Sequence, residues 1–384
     1  MQPLRDIRVL DLSRLLPGPF ATLVLADLGA TVDKIEEPGQ GDYLRHLPPQ
    51  VAEGENAAFS LLNRGKRSAI LDLKKPEAQA ALRAMLGTYD VLFEQFRPGV
   101  LARLGLDPVA LRAEFPRLVI CSLTGYGQTG PLARRAGHDL NYLARAGVLG
   151  AQGPESAPPQ VPGFQLADVS GGMWCVVAIL AALRHRDHTG EGAWLDIAMS
   201  EGTIPFATTS FAAALAGEPG PRGAETLTGG IAPYQVYETK DGRAVSLAAL
   251  EPKFWMAFAA HVGIEATLGD LLAGPHQAET KSRLATLFRT KTLAEWTAWA
   301  ADKDCLLEPV LTPAEARHDQ HLTVRNVFFD VGGRPQVRTP VTPRDVAFAP
   351  PPRHGEHTRA ILAEAGLPAE TIETLVGPIG QATR

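Results

Sequence analysis

Ile7-Arg8-Val9-Leu10-Asp11-Leu12, then Pro17-Gly18-Pro19, then the segment 21–28 closed by Gly29, then Thr31-Val32-Asp33-Lys34-Ile35: on this stretch the fold turns. An apolar run passes through a proline-glycine turn into a leucine-rich segment of helical length. Gly29 stands at the C′ position, where a left-handed residue ends a helix, and a β-branched run then resumes. That is one βαβ unit. Apolar runs at 68–73, 91–94 and 118–123, with helix-length segments at 77–86 and 109–114 between them, continue the alternation. The expectation is an α/β fold with a doubly wound parallel sheet. No G-x-x-x-x-G-K-[ST] follows any of these strands, and the G-x-G-x-x-G at Gly125 to Gly130 follows the last strand rather than the first βα turn, so neither a dinucleotide nor an ATP phosphate loop is indicated.

The pattern loosens after residue 198, where Gly217, Pro219, Gly220, Pro221 and Gly223 mark a linker over 199–228. Runs at 233–239 and 243–250 then flank Lys240-Asp241-Gly242, a hairpin signal, and helical patterns follow at 254–262, 281–289 and 293–301. This reads as a smaller α+β domain over 229–325. A proline-rich return segment, 326–384, carries a last amphipathic helix at 357–365 and is expected to pack on the large domain, whose first part is 1–198.

The chain has 384 residues, 45% hydrophobic and 21% charged, enough for one large core and one smaller. A net charge of -5 argues against a general nucleic-acid partner. Cys121, Cys175 and Cys305 are widely spaced and odd in number, which fits reduced thiols in a cytoplasmic protein. The opening residues, with acids beside a short apolar run, resemble no signal or transit peptide. The most apolar stretch, 171–183, is short for a bilayer span and runs into Arg184-His185-Arg186-Asp187-His188, so a buried helix and no membrane association are expected.

Three ionisable residues stand where a loop turns into a helix. His138 follows the glycine-rich loop 124–131 and opens an apolar helix; Asp168 opens a long helix; Glu251 directly precedes Pro252. Each has a plainer reading, as a structural histidine, an ordinary N-cap and a hairpin-to-helix junction. Together they match what deprotonation beside a thioester needs: bases on opposite faces of a planar enolate, and amide donors at its oxygen. Arg64, Lys66, Arg67, Lys74 and Lys75 bracket one strand, and Arg97 and Arg103 follow another. Such runs are commonly solvated surface, but here they are also candidates for holding phosphates, with Leu71 and Leu73 offering backbone groups to an adenine.

These residues resemble the family III CoA-transferases (the CaiB/BaiF group), and within them the α-methylacyl-CoA racemase branch, over nearly the whole chain. The resemblance rests on Pro17-Gly18-Pro19 with Ala26-Asp27-Leu28-Gly29-Ala30, on Arg64-Gly65-Lys66-Arg67-Ser68 with Leu71-Asp72-Leu73-Lys74, and on Phe96-Arg97-Pro98-Gly99-Val100. It continues through Gly125-Tyr126-Gly127-Gln128-Thr129-Gly130, Gly137-His138-Asp139-Leu140-Asn141-Tyr142, Ala167-Asp168-Val169-Ser170-Gly171-Gly172, Gly229-Gly230-Ile231-Ala232-Pro233-Tyr234 and Leu250-Glu251-Pro252-Lys253-Phe254. What it implies is an interlocked homodimer, with Glu251 supplied by the partner, acting on 2-methyl-branched acyl-CoA. Asp168 and His138, the latter supported by Glu251, would be the two bases, and the amide of Asp139 would hold the thioester oxygen. Coenzyme A contacts carried over by resemblance are Ile70, Leu71, Asp72, Leu73, Lys74, Arg97, Arg103, Gly137, Asp139, Leu140, Asn141 and Tyr142. Coenzyme A enters as part of the substrate, and no metal or separate cofactor is implied. The chain departs from the racemase pattern at Glu37, where that branch usually has arginine; residues 36–42 look more like the transferase branch.

Two other readings compete. A CoA-transferase would use the Asp168 carboxylate as a nucleophile and form a mixed anhydride. Transferases of the group tend to carry a longer glycine run near Gly229-Gly230 and a neutral residue near Glu251. A non-catalytic acyl-CoA-binding protein is disfavoured by three intact candidate bases.

Overall fold

The computed structural model describes residues 1–52 and 55–376. It divides into two compact units, one of Met1–Ala146, Gly163–Pro205 and the described residues from His321, the other of Gly147–Pro162 and Phe206–Gln320.

The first unit is built on six parallel strands: β1 (Arg8–Asp11), β2 (Thr31–Glu36), β3 (Arg67–Ile70), β4 (Val91–Glu94), β5 (Val119–Thr124) and β6 (Trp194–Ala198). Their order is β3-β2-β1-β4-β5-β6, with every pairing parallel. This is the order of a doubly wound sheet. The direction of winding reverses between β1 and β4, which places a crevice beyond the carboxyl ends of those strands. Five of the six strands were expected; β6 was not. It is an edge strand with alternating exposure, and it lacks the continuous apolar run that marks a strand buried on both faces.

Helix α1 (Pro17–Asp27) starts with a proline at its first position, and Gly29 follows its end at φ +106°, a conformation that L side chains rarely adopt. Helices α2 (Pro76–Met85) and α3 (Pro108–Glu114) also start on proline. Beyond the sheet come α4 (Asp139–Arg145) and α5 (Leu166–Thr189). At 24 residues α5 is longer than its 171–183 apolar centre and would by length and composition alone reach across a bilayer. It packs on α1 and β5, burying Ser170, Cys175 and Ile179. The core under the sheet joins Leu10, Leu92 and Ile120 to Leu82 and Met85 of α2 and to Ile361 and Leu362 near the carboxyl end of the chain.

In the second unit, α6 (Thr208–Leu215) lies within the stretch whose composition suggested a linker. An antiparallel sheet of β7 (Tyr234–Glu238), β8 (Ala244–Ala248) and β9 (Leu307–Pro309) follows, in the order β9-β8-β7. The hairpin turn places Gly242 at φ +71°, and α7 (Pro252–Val262), α8 (Gln277–Phe288) and α9 (Leu293–Ala300) pack on the sheet. Trp255, Phe258, Phe288 and Trp296 fill their shared core. Strand β9 is short, ends in proline and lies at an edge, where a missing N–H breaks no ladder. That is why it escapes a reading by pattern.

The chain re-enters the first unit through a hairpin, β10 (Phe328–Val331) and β11 (Arg334–Val337), and ends its described part in α10 (Thr358–Glu364) and α11 (Ala369–Val376).

Candidate active site

Asp139 is the first residue of α4 and Asp168 the third of α5. The Asp139 carboxylate accepts hydrogen bonds from the backbone N–H groups of Ala167 (2.7 Å) and Asp168 (3.1 Å). The amino end of α5 is therefore closed by a side chain from α4. His138 precedes Asp139 in extended conformation, exposed, with its N–H donating to Asn141 Oδ1 at 3.1 Å. One residue thus connects the position of the candidate histidine to that of the candidate aspartate.

Tyr142, on the same helix, is buried, and its hydroxyl donates to the carbonyl of Gly137. A Cβ at Gly125 would stand 2.3 Å from the Tyr142 ring and one at Gly137 2.7 Å. This explains glycine at both places: the loop closes directly on an aromatic ring. Tyr126 meets Tyr142 edge to face at 5.1 Å between centroids.

Burial first, and then the neighbouring Asp139 charge, push the Asp168 carboxyl up to about 7. No hydrogen-bond donor among the described residues reaches its oxygens. Burial and the nearby Asp168 likewise push the Tyr142 phenol up to about 12.

A cleft of about 240 Å³ lies at the sheet's crevice, lined by Leu12, Ser13, Arg14, Glu37, Leu71, Asp72, Leu73, Lys74 and Phe96 among others. Val100 lines it and also lines an adjoining concavity with Arg97, Arg103 and Arg134. Of the expected coenzyme A contacts, these two hollows gather Leu71, Asp72, Leu73, Lys74, Arg97 and Arg103. Ile70 lines neither; its N–H is held by Thr358 Oγ1 at 3.0 Å. Gly137, Asp139, Leu140, Asn141 and Tyr142 stand apart at the start of α4. The N–H groups of Leu71 and Leu73 are already paired, with the carbonyls of Glu36 and Leu71.

The expected cation cluster separates into two groups. Arg64, Lys66 and Arg67 are structural. Arg64 is fully buried and pairs with Asp27 at 2.6 Å. Lys66, brought down to about 7 by burial against the pull of Asp11, donates to Pro19 O, Thr22 Oγ1 and Asn63 Oδ1. Arg67 pairs with Asp33 and Glu364. Their sequence signal, a run of basic residues, was the same as that of the solvent-facing cations. Asn63 aside, partners 34 to 297 positions away decide the difference, Asp33 and Glu364 of Arg67 marking the two extremes.

Glu36 is also structural. Burial raises it, but Arg45, Lys34 and Ser68 outweigh that and hold it at about 2. Glu37 faces the cleft with Arg14 and Lys74. In the second unit, Glu251 is the N-cap of α7, its carbonyl accepting from Phe254 and Trp255, and its side chain is exposed and makes no capping bond. Among the described residues, no group of three His, Cys, Asp or Glu side chains is placed to hold a metal ion.

The sheet's crevice and the helix starts that carry His138 and Asp168 belong to one compact unit. The profile of CoA-transferase family III matches residues 4–358, and the chain belongs to that family. It is 38% identical over 380 residues to alpha-methylacyl-CoA racemase of Homo sapiens, covering 97% of this chain and 96% of that protein. It is 34% identical over 398 residues to succinate–glutarate CoA-transferase of Agrobacterium fabrum, covering 98% of each. A CaiB/BaiF family protein from Brucella suis has a similar structure, with TM-score 0.83, 31% identity, and coverage of 95% of this chain and 99% of the other.

Proposed function

We propose that the chain is a racemase of 2-methyl-branched acyl-CoA thioesters, removing the proton α to the thioester carbonyl and returning it through an enolate. The observation that carries this reading is the Asp168 carboxyl, poised near neutral pH with no donor fixed on its oxygens. A group that is half ionised at working pH can take a proton in one direction and give it back in the other. Asp168 would serve one face of the enolate and His138, supported by Glu251, the opposite one. The Asp139 N–H, which has no acceptor among the described residues, would receive the developing oxyanion. Losing such a donor typically costs about 3 to 4 kcal/mol of transition-state stabilisation. The cleft and the arginine-lined hollow would hold the coenzyme A part of the substrate, and no metal or further cofactor takes part.

The racemase relatives, at 37–38% identity, support this reading. Part of the proposal is a cytoplasmic homodimer in which Glu251 comes from the second copy. Met173 and Val177, 47% and 53% exposed on one side of α5, fit a face that a second copy covers. No nucleic-acid or membrane partner belongs to the proposal.

Glu37 favours a second reading. It stands in the cleft where the racemase branch usually has a cation, and transferase relatives reach 34–35% identity. In a transferase, an Asp168 oxygen would attack the thioester carbonyl, expel the coenzyme A thiolate and leave a mixed anhydride; the thiolate would then attack the Asp168 carbonyl, release the first acid and form an aspartyl-CoA thioester, from which the acceptor acid would take the coenzyme A by the reverse steps.

The deciding experiment incubates one enantiomer of a 2-methylacyl-CoA in deuterated water. Uptake of α-deuterium with loss of chirality supports the racemase, and Asp168→Asn and His138→Ala should each abolish most of it. Movement of coenzyme A to added carboxylates without exchange would replace that reading by the transferase. In that case Asp168→Asn would be inactive and His138→Ala would retain activity.

A further inference from the structure

We infer that Asp139 is a positioning residue for Asp168: its carboxylate closes the amino end of α5 and fixes the first turn, on which Asp168 stands, against the helix that opens at His138. The catalytic meaning of this inference rests on the reaction proposed above, whereas the contacts do not depend on it. Ala167 is fully buried, so its N–H would be orphaned without a partner, and Gln165 at the N-cap supplies no side-chain bond. Asp139 Oδ1 takes that N–H and the next one across 28 and 29 residues of chain.

The same carboxylate lies beside the group it positions. Two neighbouring carboxylates resist ionising together, which adds to the effect of burial on Asp168. Tyr142 on α4 also faces Asp168 and is itself flanked by Tyr126 and Arg97. From α1, the atoms nearest α5 at Gly172 belong to Pro17 and Phe20, which carry no charge. Asp139 is therefore the anionic neighbour of Asp168 as well as the anchor of its helix.

Asp139→Asn keeps an oxygen that can accept both N–H groups and removes the charge; Asp139→Ala removes both. The 168 carboxyl is titrated by 13C NMR in aspartate-labelled protein and assigned by its disappearance in Asp168→Asn. The expected result is a midpoint lower in Asp139→Asn by on the order of half to one pH unit. The acid limb of α-exchange should move with it. Asp139→Ala should lose kcat at least about tenfold with KM for the CoA thioester within about threefold, and the asparagine variant should recover most of that loss. An unmoved midpoint in Asp139→Asn, or wild-type kcat in Asp139→Ala, overturns the inference. Should the alanine variant not fold, the asparagine titration decides alone. Absence of α-exchange in the wild type would remove the racemase reading and leave the titration to judge Asp139.

Discussion

Gly172 of α5 lies directly on the backbone of Pro17: a Cβ at position 172 would meet the Pro17 carbonyl oxygen at 2.6 Å and the Phe20 ring at 3.0 Å. Two motifs separated by more than 150 residues thus meet at a point where only a hydrogen atom fits. The helix carrying Asp168 is seated on the turn that follows β1.

Gly172→Ala should therefore push α5 away from α1. The obstructing atom is backbone, which cannot swing aside, so a loss of about 1–3 kcal/mol is expected from overpacking. Urea unfolding would show it as a lower midpoint with an unchanged slope. Because Asp168 lies one helical turn away, kcat should fall more than the stability loss alone explains.

Arg97 and Arg103 line the hollow beside the cleft with no ion-pair partner among the described residues. Replacing either with glutamine should raise KM for an acyl-CoA roughly tenfold, in line with one charge-assisted contact of about 1.5 kcal/mol, and leave kcat unchanged. The matching acyl-pantetheine, which lacks the phosphates, should show no such penalty. Equal effects on both substrates would place these arginines elsewhere than at the phosphates.

Glu94, 2% exposed, is pushed up to about 7 by burial, against hydrogen bonds from Ser122 and the Phe96 N–H. Its folded value lies above the ordinary 4.5, so the fold prefers the protonated form. That contribution is complete below about pH 4.5, declines between 4.5 and 7, and is gone above. Glu94→Gln should consequently gain stability relative to the wild type as pH rises, by roughly 1–3 kcal/mol at pH 8 and little at pH 4.5. Parallel melting curves at the two pH values test this; a constant difference between the proteins would show that Glu94 is not the group titrating.

Arg64→Ala would leave Asp27 buried without its cation. Breaking such a pair from one side typically costs about 3–5 kcal/mol. Burial already raises the Asp27 carboxyl and Arg64 opposes it, so the variant should bind a proton there more readily. Its deficit should shrink as pH falls from 7 to 5, which denaturant titrations at the two values would register.

The sheet could be read in the sequence wherever a strand is buried on both faces: Val91, Leu92 and Phe93 are fully buried and form a continuous apolar run. The edges could not, because Trp194 and Asp196 of β6 alternate outward, and Glu308-Pro309 of β9 look like loop. For the site, His138 and Asp168 stood out as helix-start residues. The Asp139 side chain did not, because its acceptor role is fulfilled across 28 residues and leaves no local pattern. The basic run from Arg64 to Lys75 was misleading for the same reason. Whether a cation faces solvent or a buried carboxylate depends on chain that is distant in sequence, as with Arg64 and Asp27, which are 37 positions apart.

The contact of Thr358 with Ile70, and of Gly355 with the hydroxyl of Ser68 at 2.9 Å, ties β3 to chain made almost three hundred residues later. During synthesis the amino-terminal strands must wait, with this edge of the sheet unpaired, until the far segment leaves the ribosome. Closing so long a loop is slow, and an open strand edge is sticky in the meantime. The nascent chain thus has a long interval in which a chaperone has something to hold.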